Sequence, residues 1–424
     1  MKKLPPSEKL RKEIDEILSG KLEKDEDLLG SMIERSLKMM FQKILEQEVK
    51  DYLGRGYYER NPASRKGYRN GYEPKRVKTA EGEINLEAPQ VRDTEECYRS
   101  DFLSEIDSLS PQLKQLAVEM YVRGLSTRDI EEALRDKTSG KKLLSKDGVS
   151  ELTEELWDEY ERFCKRDLSG YDLVYLFADA VFESLRREAG MKEAILCCWG
   201  ITSAGNKVLL HLGLGNRESF ESWREFFRHM VRRGLRIPLL VVSDGAPGLI
   251  KAVVECFPES RRQRCLFHKL SNIRNKLPQE AIDEVLPQIR SAYYQTDPEI
   301  ARLYAAKIID AYAGTYHSAI KCFQEDFEAC IQHMFFPAGH QKHIITTNLL
   351  ERAFVEQKRR TKIIPRFFDE KSCLKLVYAT MIRISHKWRR VKMSAYDLVV
   401  LRNLRNLYGW KEDDEGLISK KAAA

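Results

Sequence analysis

The stretch LLVVSDGAPGL, residues 239–249, places four apolar residues directly before Ser243, Asp244 and Gly245. Four successive apolar residues predict a buried strand, and the Gly and Pro that follow predict a turn. Asp244 is therefore either a turn-forming residue or a carboxylate held at the end of a core strand for chemistry. The choice depends on whether the rest of the chain supplies partner carboxylates.

The segments around this stretch predict the order of strands and helices. Three strand-like runs with short turns between them come first and suggest an antiparallel meander: residues 171–187, 193–205 and 206–215. An amphipathic helix (218–234) leads to the quoted strand, and a short helix, a strand-like RQRCLFH (262–268) and a wholly helical block follow. This order matches an α/β fold with an RNase H-like core, a mixed five-stranded sheet with flanking helices, interrupted by an all-α insertion.

A second carboxylate, Asp179, lies in the apolar run LVYLFADAVF at the predicted end of the first strand. An ionised carboxylate among such neighbours is costly unless it is paired, hydrogen-bonded or bound to metal. Each aspartate alone is most simply a strand-end residue facing water. In an RNase H-like sheet, however, these two strands lie side by side, so Asp179 and Asp244 are expected to converge.

The third carboxylate should come from the helix after the insertion, where Glu351 and Glu356 compete. Asn348 and Glu351 have the spacing of a capping box, whereas Glu356 has Arg residues four positions away on both sides for surface ion pairs. Glu351 shares its face with Phe354 and Val355, and we therefore select it.

Three converging carboxylates repel one another unless cations lie between them. Oxygen ligands of this kind suit Mg²⁺ or Mn²⁺. Two such ions can activate a water or a 3′-hydroxyl and stabilise the leaving oxygen in phosphodiester chemistry. The sequence therefore predicts two divalent ions held by Asp179, Asp244 and Glu351.

The first 165 residues show helical patterns and a basic loop in place of successive strand-like runs. Residues 28–53 have the apolar spacing of an amphipathic helix. Residues 54–93 resemble an irregular basic loop ending in a strand or hairpin around 82–89. SPQLKQLAVEMYVRGLSTRDIEEAL (110–134) has the ingredients of a helix-turn-helix, and a third helix follows it.

Basic residues cluster in these regions and after Glu351, where Lys and Arg can neutralise phosphates. A solvated charged loop or helix face would look the same, but the helix-turn-helix nearby favours DNA contact. The residues expected to bind DNA are Arg65, Lys66, Arg69, Lys75, Arg76, Arg128, Lys358, Arg359, Arg360 and Lys362.

Composition excludes several classes of protein. The 424 residues carry a net charge of +7, and no apolar run approaches the roughly 20 residues that span a bilayer. The basic start lacks a signal-peptide core. Nine scattered Cys without a CxxC pair favour reduced thiols and a cytoplasmic setting.

Taken together, these stretches resemble the Mutator-type DDE transposases of bacterial insertion sequences. The similar segments include FADAVFESLRR, VVSDGAPGL, RCLFHKLSNI and TTNLLERAFVEQKRRTKIIPRF, in the family's order, and they cover most of residues 28–390. The resemblance implies that Asp179, Asp244 and Glu351 are the catalytic triad. It also implies these regions: 1–100 for DNA binding and dimerisation, 101–168 helix-turn-helix-like, 169–268 core, 269–342 all-α insertion, 343–395 core helices with Glu351, and 396–424 tail.

Cys265 and His268 also match a Cys-x2-His signature of this family. As a zinc site the pair is incomplete, because four ligands are normal and no further pair is visible nearby. Packing of the insertion against the sheet is the favoured role.

The sequence thus predicts a transposase that binds the terminal inverted repeats of an insertion sequence and target DNA. It would cut and join strands with two Mg²⁺ or Mn²⁺ ions, as a homodimer or higher oligomer, in the bacterial cytoplasm and on nucleoid DNA. A structure-specific nuclease or resolvase on the same fold is an alternative, and so is a transposase-derived DNA-binding regulator. Three occupied carboxylate positions argue against a decayed site.

Overall fold

A computed structural model of the chain describes residues 4–19, 28–59, 66–80, 82–94, 96–106, 109–136, 140–185, 192–215, 218–362, 364, 367–408, 411–412 and 418–419. The chain forms two compact units, Met1–Glu155 and Leu156–Ala424. Within the described ranges, every helix is too short or too polar to span a bilayer.

The first unit is mostly helical and contains one two-stranded sheet. Its elements are α1 (Pro6–Leu18), α2 (Leu28–Leu53), β1 (Tyr68–Lys78), β2 (Glu83–Arg92), α3 (Asp101–Glu105), α4 (Pro111–Val122), α5 (Thr127–Ala133) and the start of α6 (Lys146–Lys165). The predicted amphipathic helix over 28–53 is confirmed as α2.

The helix-turn-helix elements also form as predicted. Gly124 makes the turn after α4 with a φ of 101°, a backbone angle that favours glycine. Ser126 and Asp129 then form a capping box that begins α5. Leu113 and Ile130 are fully buried and join the two helices in one core.

The expected irregular loop over residues 54–93 is instead largely a hairpin. β1 and β2 pair antiparallel from Lys78 and Glu83 outward, with one irregularity between Arg69 and Tyr72. Most of β1 is exposed and polar, so its backbone pairing holds it without the apolar alternation that marks a strand in sequence. The prediction of a hairpin around residues 82–89 was therefore correct but too short.

The second unit contains a mixed five-stranded sheet and many helices, which confirms the α/β class. In chain order its elements are β3 (Leu173–Ser184), β4 (Lys192–Thr202), β5 (Lys207–Gly215), α7 (Phe220–Arg232), β6 (Leu240–Ser243), α8 (Pro247–Cys256), β7 (Arg261–Arg264), α9 (Leu266–Arg274), α10 (Gln279–Tyr293), α11 (Pro298–Tyr312), α12 (His317–Gln324), α13 (Phe327–Cys330), a 3₁₀ helix (Gln332–Phe335), α14 (Ala338–Ile344), α15 (Asn348–Thr361), α16 (Glu370–Ser385), α17 (Ala395–Leu407), β8 (Lys411–Glu412) and β9 (Ile418–Ser419).

The strand order in this sheet is β5-β4-β3-β6-β7. The predicted antiparallel meander is confirmed for β3, β4 and β5. β6 then pairs parallel to β3, and β7 parallel to β6. The four residues of β6 are all buried, as their continuous apolar run predicts for a central strand.

Helices α9 to α14 form a block with its own apolar core, which includes Ile289, Tyr293 and Phe323. This confirms the helical character predicted from residue 269 onward. The strand-like prediction for RQRCLFH was wrong in its second half, because β7 ends at Arg264 and α9 begins at Leu266. Leu266 packs into the core of the helical block and not into the sheet.

Candidate active site

Asp179 and Asp244 occupy neighbouring positions on two parallel strands. Ala178 pairs with Ser243 in the register of β3 and β6, and the two aspartates are the next residue of each strand. Asp179 does not end β3, as the sequence suggested, because β3 continues to Ser184 against β4. The pairing of β3 with β6 ends just before Asp179. Asp179 and Asp244 therefore lie side by side as predicted, although the strand end is not the reason.

Cys265 extends this row to a third strand. Its backbone N–H donates to the Ser243 carbonyl at 2.8 Å, directly after β7. Its sulfur accepts the backbone N–H of Thr347 at 3.5 Å and lies 3.4 Å from the Thr347 hydroxyl. The N–H of Leu266 also donates to the Ile345 carbonyl at 3.0 Å. These bonds attach the chain just before α15 to the edge of the sheet.

Glu351 lies in the first turn of α15 and faces this edge. Its Oε1 accepts the Thr347 hydroxyl at 3.1 Å and is 3.9 Å from Nε2 of His268. The capping box predicted from Asn348 was wrong, because the residue before the helix is Thr347 and Asn348 is the first helical residue. The bonds of Thr347 to Cys265 fix this earlier start.

The competing Glu356 is a surface residue of the same helix. It pairs with Arg360 at 2.8 Å and with Arg359, as expected for an exposed helical ion pair. Phe354 is buried as predicted, but Val355 is 54% exposed, so the expectation that it packs beside Glu351 was wrong.

The pKa of Asp179 reflects the nearby charges of the other two carboxylates. Burial, followed by the negative charges of Asp244 and Glu351, raises the pKa of Asp179 to about 7. The Ala180 N–H, which donates to Asp179 Oδ1 at 2.8 Å, and the nearby His268 oppose this rise. Asp244 and Glu351 are therefore both close enough to Asp179 for their charges to act on it.

His268 and Cys265 form a polar pair beside the carboxylates. Contact with the Cys265 sulfur, and then the charges of Asp179 and Glu351, raise the pKa of His268 to about 9 against the effect of burial. Burial raises the pKa of Cys265, but its contacts with His268 and Thr347 outweigh it and leave that pKa lowered. The contact is not a well-aligned hydrogen bond, because the buried His268 Nδ1 has no aligned partner among the described residues.

One group of potential metal ligands stands out in the described part of the chain. A sulfur of Cys265, a ring nitrogen of His268 and a carboxylate oxygen of Glu351 lie within 4.8 Å of one another. The sequence identified the first two and predicted packing for them. Cys265 is fully buried, so packing is present, and the pair also borders the carboxylates.

Glu218 is a further carboxylate of this site that sequence reasoning missed. Burial, and then the charge of Asp244, raises its pKa, while His268 lowers it. Glu218 directly precedes Ser219, which caps α7. In sequence it resembles an ordinary first-turn acid, and only the position of α7 brings it to Asp244.

Gly245 explains the turn in the quoted stretch. A Cβ atom at this position would lie 1.1 Å from the Arg264 guanidinium, which is itself buried. Arg264 reaches Asp326 at 3.5 Å, as does Arg262 at 2.8 Å, so the turn is packed against the link to the helical block. Asp244 is thus both a turn residue and a carboxylate of the site; its Oδ1 accepts the N–H two residues on, at 3.0 Å.

The basic residues predicted to bind DNA in the first unit are partly exposed. Lys66, Lys75 and Arg76 on the hairpin are exposed, as is Arg128 in the first turn of α5. Arg65 lies outside the described residues.

Arg69 has a structural role that the sequence did not indicate. Its guanidinium donates to the carbonyls of Arg55 and Gly56, and it lies 5.5 Å from the centre of the Tyr57 ring. Burial lowers its pKa. Arg69 thus fastens the end of α2 to the hairpin.

The basic residues after Glu351 divide into two kinds. Lys358 and Lys362 are exposed at the end of α15. Arg359 and Arg360 bind Glu356 and are partly neutralised.

Comparison with known proteins identifies the family that this sequence matches. Residues 10–391 match the Mutator family of transposases. The transposase for insertion sequence element ISRM5 of Rhizobium meliloti is 31% identical over 83% of this chain and 87% of its own. The transposase for IS6120 of Mycolicibacterium smegmatis is 33% identical over 64% of this chain and 84% of its own. A solved structure, the Drosophila P element transposase strand transfer complex, has a TM-score of 0.28 and 13% identity, covering 70% of this chain and 85% of that one, which is too low to inform the site.

The match to the family spans nearly the whole chain, including the segments that carry Asp179, Asp244 and Glu351. The chain therefore belongs to the Mutator family of transposases.

Proposed function

We propose that this transposase is a DDE enzyme in which Asp179, Asp244 and Glu351 hold the divalent ions for cutting and joining DNA strands. The observation that carries the proposal is the convergence of the three carboxylates. Asp179 and Asp244 directly follow paired positions of two adjacent parallel strands. The negative charge of Glu351 contributes to the raised pKa of Asp179. The strand order β5-β4-β3-β6-β7, with a helical block after β7, supports an RNase H-like core with an all-α insertion.

The donor set fits Mg²⁺ or Mn²⁺. Carboxylate oxygens from two strands and one helix suit hard divalent cations, and carboxylates grouped without a cation raise one another's pKa, as Asp179 illustrates. Glu218 adds a fourth negative charge on the side of Asp244. Two ions per site agree with phosphodiester chemistry.

The chain's own residues prepare this chemistry. When bound, two divalent ions held by these carboxylates would activate a water or a 3′-hydroxyl and stabilise the leaving oxygen. A bound cation would favour the ionised carboxylate of Asp179, against the raised pKa that burial gives it. Backbone N–H groups hold one oxygen of Asp179 and one of Asp244, and the Thr347 hydroxyl orients Glu351. No covalent enzyme intermediate is required.

In the same proposal, the first unit recognises the terminal inverted repeats of the element. The α4–α5 pair and the exposed Lys66, Lys75, Arg76 and Arg128 support it. Two element ends processed together require at least a homodimer in the active complex on bacterial nucleoid DNA. The regions would be 1–100 and 101–168 for DNA binding, 169–268 and 343–395 for the core, 269–342 for the insertion and 396–424 for the tail.

The test is strand cleavage and joining by purified protein on DNA carrying the element's own ends. We expect Asp179→Asn, Asp244→Asn and Glu351→Gln each to lower the Mg²⁺-dependent rate on the order of 10³-fold, because metal stabilisation of the transition state amounts to several kcal/mol. Glu356→Gln is the matched control on the same helix and should retain the rate within about threefold, since surface ion pairs contribute little.

A second substrate with pre-cut 3′ ends separates the alternatives. Joining of these ends to target DNA supports the transposase mechanism. Cleavage without joining would identify a nuclease, and specific end binding without cleavage would identify a regulator. Unchanged cleavage by Asp244→Asn would defeat the metal-holding role.

A further inference from the structure

A small cavity lies beside the start of α15 in the second unit. Its volume is about 250 Å³, room for a phosphate group and several waters at roughly 30 Å³ per water. Its walls include four basic side chains from three elements: Lys207, Lys342, His343 and Arg352.

The cavity has positive charge without a matching carboxylate. Among the residues that the structure describes, no Asp or Glu is part of its wall. Within the described ranges, Lys207, Lys342 and Arg352 form no ion pair. Burial, and then the charges of Lys207 and Lys342, lowers the pKa of His343, which places these cations close together. Clustered cations of this kind favour an anionic ligand.

Trp199 supplies a further donor on the wall. It is 1% exposed, and its indole N–H is buried without a hydrogen-bond partner in the described part of the chain. A buried donor without a partner is costly and points to a missing acceptor. Phe177 stacks on the indole at 4.2 Å, and Trp388 lies 5.1 Å away. Phe177 and Trp388 therefore cover the faces of the indole ring, which excludes stacking of a DNA base on it. The indole N–H is the group that this side chain can offer to a ligand in the cavity.

The start of α15 adds to this donor set. Asn348 and Arg352 are one turn apart and both line the cavity. The helix has 14 residues; the Thr347 side chain does not cap it, and the Asn348 N–H donates to the Thr346 hydroxyl at 3.4 Å. Its N-terminal N–H groups and positive dipole end therefore also favour an anion.

The cavity is near the carboxylates. Trp199 pairs with Phe177 across β4 and β3, so both side chains are on one face of the sheet. Phe177 is two residues before Asp179, which puts Asp179 on the same face about 7 Å further along the strand. Arg352 follows Glu351 on α15.

We propose that this cavity binds a backbone phosphate of the DNA strand next to the scissile phosphate and so sets the strand's register over Asp179, Asp244 and Glu351. Lys342 and Arg352 bind its oxygens from α14 and α15, and the Trp199 N–H donates to it from the sheet. This inference rests on the proposed function and names a phosphate subsite of it.

The test combines phosphate neutralisation in DNA with charge removal in the protein. Element-end DNA with a single neutral methylphosphonate at each position near the cleavage site is compared in the wild type and in a Lys342→Gln/Arg352→Gln variant. At one position, we expect the substitution to slow wild-type strand transfer roughly 10- to 100-fold, as loss of a charge-assisted hydrogen bond does. In the variant, a methylphosphonate at that position should slow strand transfer only about twofold, whereas methylphosphonates at the other positions should slow it as much as in the wild type.

Lys321→Gln, an exposed lysine on α12, is the matched control and should keep the wild-type profile. An identical profile in the variant and the wild type would overturn the inference while leaving the proposed function intact. Absence of any wild-type cleavage would instead defeat the proposed function. Stabilisation of the DNA-free protein by inorganic phosphate, lost in the variant and accompanied by unchanged methylphosphonate penalties, would assign the cavity to free phosphate and overturn the DNA assignment.

Discussion

The carboxyl group of Asp179 is in a place where water solvates it poorly, since the residue is only 8% exposed in a strand of apolar neighbours. Its raised pKa follows from burial first and from neighbouring carboxylates second. A fold that keeps such an arrangement gives up stability at this position. A bound cation offsets that loss of stability by pairing with the negative charges. The same grouping of buried carboxylates therefore lowers the stability of the metal-free protein and supports the proposed metal binding.

His333 shows a different outcome for a buried titratable group. It is 2% exposed within the 3₁₀ helix, near Gln263 and the Cys330 carbonyl, and burial lowers its pKa to about 4. The unfolded chain binds a proton near pH 6.5, whereas the folded chain does not until about pH 4. Stability from this residue is therefore complete above pH 6.5 and is lost as the pH falls towards 4, by up to about 3 kcal/mol.

Urea unfolding of the wild type and of His333→Gln between pH 7.5 and 4 measures this effect. We expect the difference in unfolding free energy between the two proteins to shrink with acidification over that window. A difference that is independent of pH would show that His333 titrates alike in the folded and unfolded chains, as an imidazole in contact with water does, and would contradict the lowered pKa.

The position of α15 depends on one sulfur. Cys265 holds Thr347, and Thr347 in turn holds Glu351. When Glu351 is ionised, the single hydroxyl proton of Thr347 must be donated to it. The sulfur then accepts the Thr347 backbone N–H and helps to position the start of the helix.

We expect Cys265→Ala to raise the Mg²⁺ concentration needed for half-maximal cleavage roughly 10-fold, as loss of an outer partner of a metal ligand does. Cys265→Ser keeps a polar atom at this position and should recover part of the loss. Cleavage rates across a Mg²⁺ series measure both. If the alanine variant has a lower melting temperature but an unchanged Mg²⁺ dependence, the role of Cys265 is packing alone.

The elements of the core could be predicted where periodicity is strong. The apolar runs of β3 to β6 and the amphipathic α7 were correct because each buries a continuous or alternating apolar face. β1 was missed because backbone pairing holds an exposed polar strand. The start of α15 was placed one residue late, since the bonds of Thr347 to Cys265 are tertiary and outweigh the local capping preference.

The site was predictable only as far as strand order carries it. Asp179 and Asp244 directly follow the paired residues Ala178 and Ser243 of two adjacent parallel strands, so topology alone brings them together. Glu351 required a choice on one helix, and the structure places it at the sheet edge and Glu356 in a surface ion pair. Glu218 was not predictable, because nothing in its local sequence separates it from an ordinary acid before a helix.

Charge is distributed unevenly over this transposase, and its net value of +7 says little about where DNA lies. Near the end of α15, Lys358 and Lys362 are exposed, whereas Arg359 and Arg360 are bound to Glu356. A cation already paired with a carboxylate releases fewer DNA counterions than a free one. The four residues are adjacent in sequence, yet they should contribute unequally to DNA binding.

Each lysine that contacts a phosphate adds about 0.9 to the slope of log affinity against log salt on duplex DNA. We therefore expect Lys358→Gln/Lys362→Gln to reduce that slope by about 1.8, and Arg359→Gln/Arg360→Gln to reduce it by less. Fluorescence anisotropy of a labelled duplex between 50 and 200 mM salt, with Ca²⁺ in place of Mg²⁺ to prevent cleavage, gives the slope. Lys321→Gln is the control for net charge alone. Equal slopes for the lysine variant and this control would place DNA away from the end of α15, because loss of charge without loss of contact leaves the number of released counterions unchanged.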